Sequence, residues 1–173
     1  MSGLILPYRN HTPRMGKDVF IAATATVIGD VEIGDRSNLW YSVVVRGDVQ
    51  KIRIGADTNL QDGTIVHVTA PIYDTSIGSG VVVGHNAVIH ACTLEDGSFV
   101  GMSATVMDEA VVESNAMVAA GALVTPRTRV KSGELWAGCP AKPLRDLTAE
   151  ELAYIPELAQ HYVDLAADYL AQG

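Results

Sequence analysis

Three histidines lie between positions 67 and 90, His67 in "TIVHV", His85 in "VGHNA" and His90 in "VIHAC", each inside a run of valine, isoleucine and alanine that reads as buried strand. Neutral imidazole is the commonest protein ligand for zinc, and three imidazoles plus one open position are the arrangement of a catalytic zinc site. The other two, His11 and His161, sit in the terminal segments. Three unrelated surface histidines are the alternative, and the polar residues nearby count against it. Arg46 and Asp48 flank Gly47 in "VVVRGDVQ", while Asn59 and Gln61 stand in "NLQDG", one hexapeptide before His67. Together they look like a built site.

The elements that must position these residues follow from a repeat. An aliphatic residue recurs every six positions: Ile21, Val27, Ile33, Leu39 and Val45, then Ile54, Leu60, Val66 and Ile72. After a one-residue contraction come Ile77, Val83 and Ile89, and after a second, Leu94, Val100, Val106, Val112, Val118 and Val124. Four positions on comes a small or β-branched residue, among them Ala25, Val31, Ser37, Thr58, Thr64, Ala87, Ala104, Ala110, Ala116 and Ala122. A six-residue period fits neither a helix nor a hairpin meander; it fits an all-β fold, a parallel β-helix with coils of about 18 residues. General crossover rules favour a right-handed coil. The coil length places His85 one coil above His67 on the same face, and His90 on the next face, near the same edge.

Residues 1–132 are read as the β-helix with its N-terminal segment, 133–147 as a Gly- and Pro-rich connecting segment, and 148–171 as a C-terminal helix within one domain. Thr148 and Glu151 occupy capping-box positions, and Leu152, Ile155, Leu158, Tyr162, Leu165 and Tyr169 recur at helical spacing, a stripe for packing on the prism or on a neighbouring subunit. Pro156 is expected to kink this helix or restart it. The formal charge of -8 disfavours nucleic acid and anionic membrane as partners. The apolar stretch in "MSGLILPYRNHTPR" is too short for a signal peptide or a span, so a cytoplasmic location is expected. Cys92 and Cys139 make no disulfide framework and read as small buried residues.

"RGD" at Arg46 to Asp48, "NLQDGTIVHV" from Asn59 and "VGHNAVIHACTL" from Val83 resemble the gamma class of carbonic anhydrases and their hexapeptide-repeat relatives, and the likeness extends through "LWAGCPAK" to the C-terminal helix. The resemblance implies a left-handed parallel β-helix assembled as a homotrimer, with Zn2+ at each subunit interface and Fe2+ or Co2+ as other metals such a site accepts. It implies that His67 and His90 bind the metal from one chain and His85 from its neighbour. Arg46 and Asp48 match an intersubunit salt bridge, Gln61 a residue that hydrogen-bonds metal-bound water, and Asn59 a residue beside it in the pocket. The implied reaction is reversible hydration of CO2 to bicarbonate by metal-bound hydroxide. Two features depart from the family's prototype: "TAPIYDTS" replaces a longer acidic loop that carries a proton-relay glutamate, and Val49 stands in place of a second glutamate. Tyr73 and Asp74 could substitute but read better as turn residues, so a slow or inactive enzyme fits the sequence as well. A CoA-dependent acyltransferase or thioesterase, and a non-catalytic metal-bound trimeric scaffold, are the competing readings.

Overall fold

A computed structural model describes residues 3–172. Met1 and Ser2, part of the expected N-terminal segment, lie outside the described residues. The chain winds into a left-handed parallel β-helix of about seven turns followed by one helix. Why the hexapeptide does this is visible in any one unit. Val100 points inward and is fully buried, Ser103 turns the corner with φ +58°, and Ala104 is fully buried just past the bend. Glu109 and Asn115 repeat the positive φ at the next two corners, before Ala110 and Ala116. One left-handed residue per unit bends the chain, and the residue after it enters a corner where only a small side chain fits.

Three faces result. The first carries strands Thr26–Ile33, Val44–Ile54, Ile65–His67 and Val88–His90. The second carries Asn38–Leu39, Asn59–Leu60 and Val82–Val83. The third carries Thr75–Ile77, which pairs onto the far half of Val44–Ile54 as that strand rounds the corner, and Thr93–Leu94, which pairs onto Thr75–Ile77. Inside, Leu39, Val45, Leu60, Val66, Val83, Ile89 and Val106 stack in one cluster with no solvent exposure. Burying each contributes roughly 1.5–3 kcal/mol.

Ile72 breaks the expected inward series: it is 66% exposed. Residues 69–74 leave the prism as a small loop closed by an antiparallel bridge between Thr69 and Tyr73, and the core is resumed by Val68 on one side and Thr75 on the other. The loop lengthens its coil, so that His67 lies in register with His90. This corrects the placement of His85 one coil above His67, which assumed a constant coil length.

The stretch 133–147 folds as an antiparallel pair, Glu134–Gly138 with Ala141–Asp146, laid on the last coil through Leu135 opposite Met117. The pair covers the edge that the second face would otherwise leave open. Helix α1, Ala149–Ala171, is continuous through Pro156. It packs on the second face of its own prism through Ile155, Ala159, Val163 and Ala166, a line shifted from the expected stripe so that Leu152 is left exposed. The rings of Tyr162 and Tyr169 stand edge-on to Trp40, 5.6 and 5.3 Å away. Cys92 is buried, as expected, and burial pushes its thiol up to about 12, but Cys139 is exposed because it sits at the tip of the antiparallel pair. Among the described residues no helix is long and apolar enough to cross a membrane.

The capping box at Thr148 and Glu151 is formed, and Arg145 grips the same carboxylate at 2.7 and 2.8 Å. Hydrogen bonds from Arg145 and the Thr148 backbone lower the Glu151 carboxyl from its ordinary 4.5 to about 2. A lowered acid stabilises the fold above its ordinary value and loses that contribution as pH falls through the lowered one. The anchoring of α1 is therefore expected to weaken from about pH 4.5 down to about pH 2. In Glu151→Gln, which keeps the cap but not the charge, amide exchange in the first turn of α1 should lose this pH dependence.

Candidate metal centre

His67 and His90 end adjacent parallel strands of the first face, so the sheet register sets them side by side. Their ring centroids are 5.3 Å apart, and His67 Nδ1 lies 3.3 Å from His90 Nε2. That spacing suits a hydrogen bond when one nitrogen carries a proton. It also suits a shared cation: ligands of a tetrahedral zinc with Zn–N near 2.0–2.1 Å stand about 3.3–3.4 Å apart.

The opposite nitrogen of each ring is already held. His67 Nε2 meets Asp48 Oδ1 at 3.1 Å, and His90 Nδ1 meets Asp108 Oδ1 at 2.8 Å. Asp48 also accepts from Arg46, and Asp108 from the hydroxyl of Thr69 in the 69–74 loop. Burial works to raise both carboxyls, but the hydrogen bonds from His67 and Arg46, and from Thr69 and His90, outweigh it and hold both below the ordinary aspartate value. Both are carboxylates at neutral pH, able to orient a ring and strengthen its free nitrogen as a ligand.

His85 stands elsewhere. It lies at the corner where the chain passes from Val82–Val83 to Val88–His90, and its Nδ1 is 2.9 Å from Asp62 Oδ2. At about 3.3 Å per residue, the five steps to His90 put it up to about 16 Å away along the strand direction. Thus the first face carries one imidazole at its near edge and two at its far edge, each backed by an aspartate. Among the described residues, no group of three or more potential ligands within one chain could hold a metal ion.

Gln61 and Asn59 belong with the His85 edge. Gln61 precedes Asp62, is 4% exposed, and its Nε2 donates to Asn59 Oδ1 at 3.0 Å beneath α1. One chain therefore brings Arg46, Asp48, His67 and His90 together and leaves Asn59, Gln61 and His85 apart. Arg46 pairs with Asp48 of its own chain. Asp74 is 3.4 Å from Lys51 on the outside of the loop. The negative charge of Glu109 raises the Tyr73 phenol, which keeps it protonated at neutral pH.

Asp62, Asp108 and Thr69 were not expected from sequence. Asp108 follows His90 by 18 positions, one regular coil, so coil arithmetic applied to acids as well as histidines would find it. Thr69 and Asp108 are 39 positions apart and meet only because the lengthened coil folds the loop back.

A family model for bacterial transferase hexapeptide repeats matches residues 12–47. The chain is 45% identical to a probable carbonic anhydrase of Methanocaldococcus jannaschii, over 88% of this chain and 95% of that protein. It is 54% identical to the mitochondrial gamma carbonic anhydrase 2 of Arabidopsis thaliana over 90% of this chain, and spans 58% of that relative's length. Among solved structures it superposes on a putative acetyltransferase of Bacillus cereus with a TM-score of 0.97 at 32% identity, each chain covered completely.

Proposed function

The chain belongs to the gamma-class carbonic anhydrase family, and from that premise we propose that it catalyses the reversible hydration of CO2 to bicarbonate at zinc sites between the subunits of a homotrimer. The observation that carries this reading is the pair of free nitrogens on His67 and His90, 3.3 Å apart with their other nitrogens held by carboxylates. Two imidazoles make half a site. The third, on His85, sits at the other edge of the same face, and a cyclic head-to-tail assembly brings unlike edges of neighbouring chains together. Ile65, on this face and 38% exposed in the single chain, gives such a contact an apolar surface.

Zinc held by the three rings would supply hydroxide at neutral pH, because it lowers the pKa of a bound water to about 7. The chain's own residues do the rest. Asp48, Asp62 and Asp108 hold the rings in the ligating tautomer. Gln61, fixed by Asn59, orients the attacking oxygen, and the aliphatic side chains of the first face shelter CO2 from water. Arg46 neutralises Asp48 and takes part in the subunit contact. Fe2+ or Co2+ would serve the same ring set.

Stopped-flow hydration of CO2 by the zinc-loaded and cobalt-loaded protein tests the proposal; no rate above buffer with metal fully bound overturns it. Gln61→Ala should keep the metal and the trimer and lose about 10- to 100-fold in rate. With Asp74 tied to Lys51 and Tyr73 protonated, the loop offers no free proton carrier. The rate is therefore expected to climb with the concentration of an imidazole buffer, and a flat dependence would place a relay elsewhere in the chain. The likeness to the Bacillus cereus protein favours acyl transfer as the second reading. Release of free thiol from acetyl-CoA, with no CO2 hydration, would establish it.

A further inference from the structure

The hydrogen bonds that hold Gln61 run away from the metal ligands and into the interior under α1. Gln61 Nε2 donates to Asn59 Oδ1 at 3.0 Å, Asn59 Nδ2 donates to Asn38 Oδ1 at 2.5 Å, and Trp40 Nε1 donates to that same oxygen at 2.8 Å. All four residues are buried.

A carboxamide can be turned end for end with little change in shape, so its direction is set by what its two ends meet. Here one link admits a single answer. An indole N–H only donates, so the end of Asn38 facing Trp40 is its oxygen; the other end, Nδ2, faces the carbonyl of Arg36, which only accepts, at 3.4 Å. The end of Asn59 that faces Asn38 Oδ1 is then its nitrogen, which turns Asn59 Oδ1 toward Gln61. The end of Gln61 that meets it is Nε2. Oε1 is left at the outer end, and among the described residues it accepts no hydrogen bond. Reversing any one amide would set two oxygens or two N–H groups against each other in a dry interior.

We propose that Trp40 is a positioning residue, whose indole N–H, acting through Asn38 and Asn59, holds Gln61 with its amide nitrogen inward and its carbonyl oxygen outward, so that the site is always offered a hydrogen-bond acceptor. The consequence for chemistry rests on the role given to Gln61 under Proposed function; the direction of the amides does not. An acceptor at this point takes a hydrogen bond from the attacking water, and it admits an oxyacid such as bicarbonate with its O–H toward Gln61. A fully deprotonated oxyanion meets lone pairs there and is disfavoured.

A double-mutant cycle reads the direction without reference to activity. Gln61→Glu sets an acidic oxygen against Asn59 Oδ1, and Asn59 cannot turn while Trp40 and Asn38 lock it. Trp40→Phe removes the N–H and keeps the aromatic packing. The thermal midpoint lost on Gln61→Glu is expected to be smaller in the Trp40→Phe background by about 3 °C or more; equal losses in both backgrounds overturn the proposal. In the unaltered protein the Gln61 side-chain amide protons should exchange slowly, and exchange at the solvent rate would show the nitrogen facing outward and equally overturn it. Trp40→Phe with its full zinc content is expected to hydrate CO2 about 10-fold more slowly. Coupling in the cycle without that loss of rate upholds the amide direction and refutes the role of Gln61 in the reaction.

Discussion

His90→Ala is expected to abolish stable zinc binding and to lower CO2 hydration by about a thousandfold or more, because without the metal the attacking water is far too weak an acid to be hydroxide at neutral pH. Two features make this the most damaging change at the site. His90 supplies one of the two nitrogens that lie 3.3 Å apart, and His67 alone cannot define a tetrahedral edge. Its loss also leaves the Asp108 carboxylate, half-buried and bonded to Thr69, without the ring it faces. The scaffold, by contrast, should survive: the His90 side chain points out of the prism, while Ile89 beside it is the core residue. Elemental analysis and stopped-flow rates on the purified variant check the claim, with far-ultraviolet circular dichroism showing an intact β-helix. Zinc retained at wild-type stoichiometry would mean that the ligand set is wrong.

Gly29→Ala is expected to destabilise the fold by about 2–5 kcal/mol and to displace the Arg46 and Asp48 pair with it. Gly29 lies opposite Gly47 in the pairing of Thr26–Ile33 with Val44–Ile54, at the point where the register shifts. Its φ is +79°, and a Cβ there would stand 2.2 Å from the Gly47 carbonyl oxygen. Both terms act together, since the backbone conformation disfavours any L side chain and the neighbouring backbone has nowhere to go. Gly47 sits between Arg46 and Asp48, so the strain reaches the carboxylate behind His67 directly. Urea unfolding measures the first effect, and zinc affinity the second. A midpoint near that of the natural sequence would show that the two strands can separate freely, contrary to the packing described.

The β-helix was legible because its cause is local. The inward aliphatic and the small residue four positions later are both written in the hexapeptide, and Val100 with Ala104 or Val112 with Ala116 sit where the period puts them. Coil length was less so. The loop at 69–74 adds residues that no periodicity announces, which exposes Ile72 and sets His67 beside His90 rather than below His85. The three histidines stood out because imidazole is rare in an aliphatic strand. Two of their three supporting aspartates did not, since Asp62 and Asp108 look like any solvated corner residue until the register shows what faces them. The antiparallel pair at 133–147 was hidden for a related reason: its partner is the last coil, and Gly138 and Pro140 mark its bend as plainly as they would mark a loop.

If one metal is held by two chains, mixing subunits that each lack a different ligand should rebuild the site. His67→Ala and His85→Ala, prepared separately, should each fail to bind zinc. When they are unfolded together and reassembled, a chain that keeps His67 and His90 can adjoin one that keeps His85. Random cyclic assembly should then restore about one quarter of the zinc and of the hydration rate. A mixture that recovers neither, from trimers shown to contain both kinds of chain, would contradict a site shared between subunits.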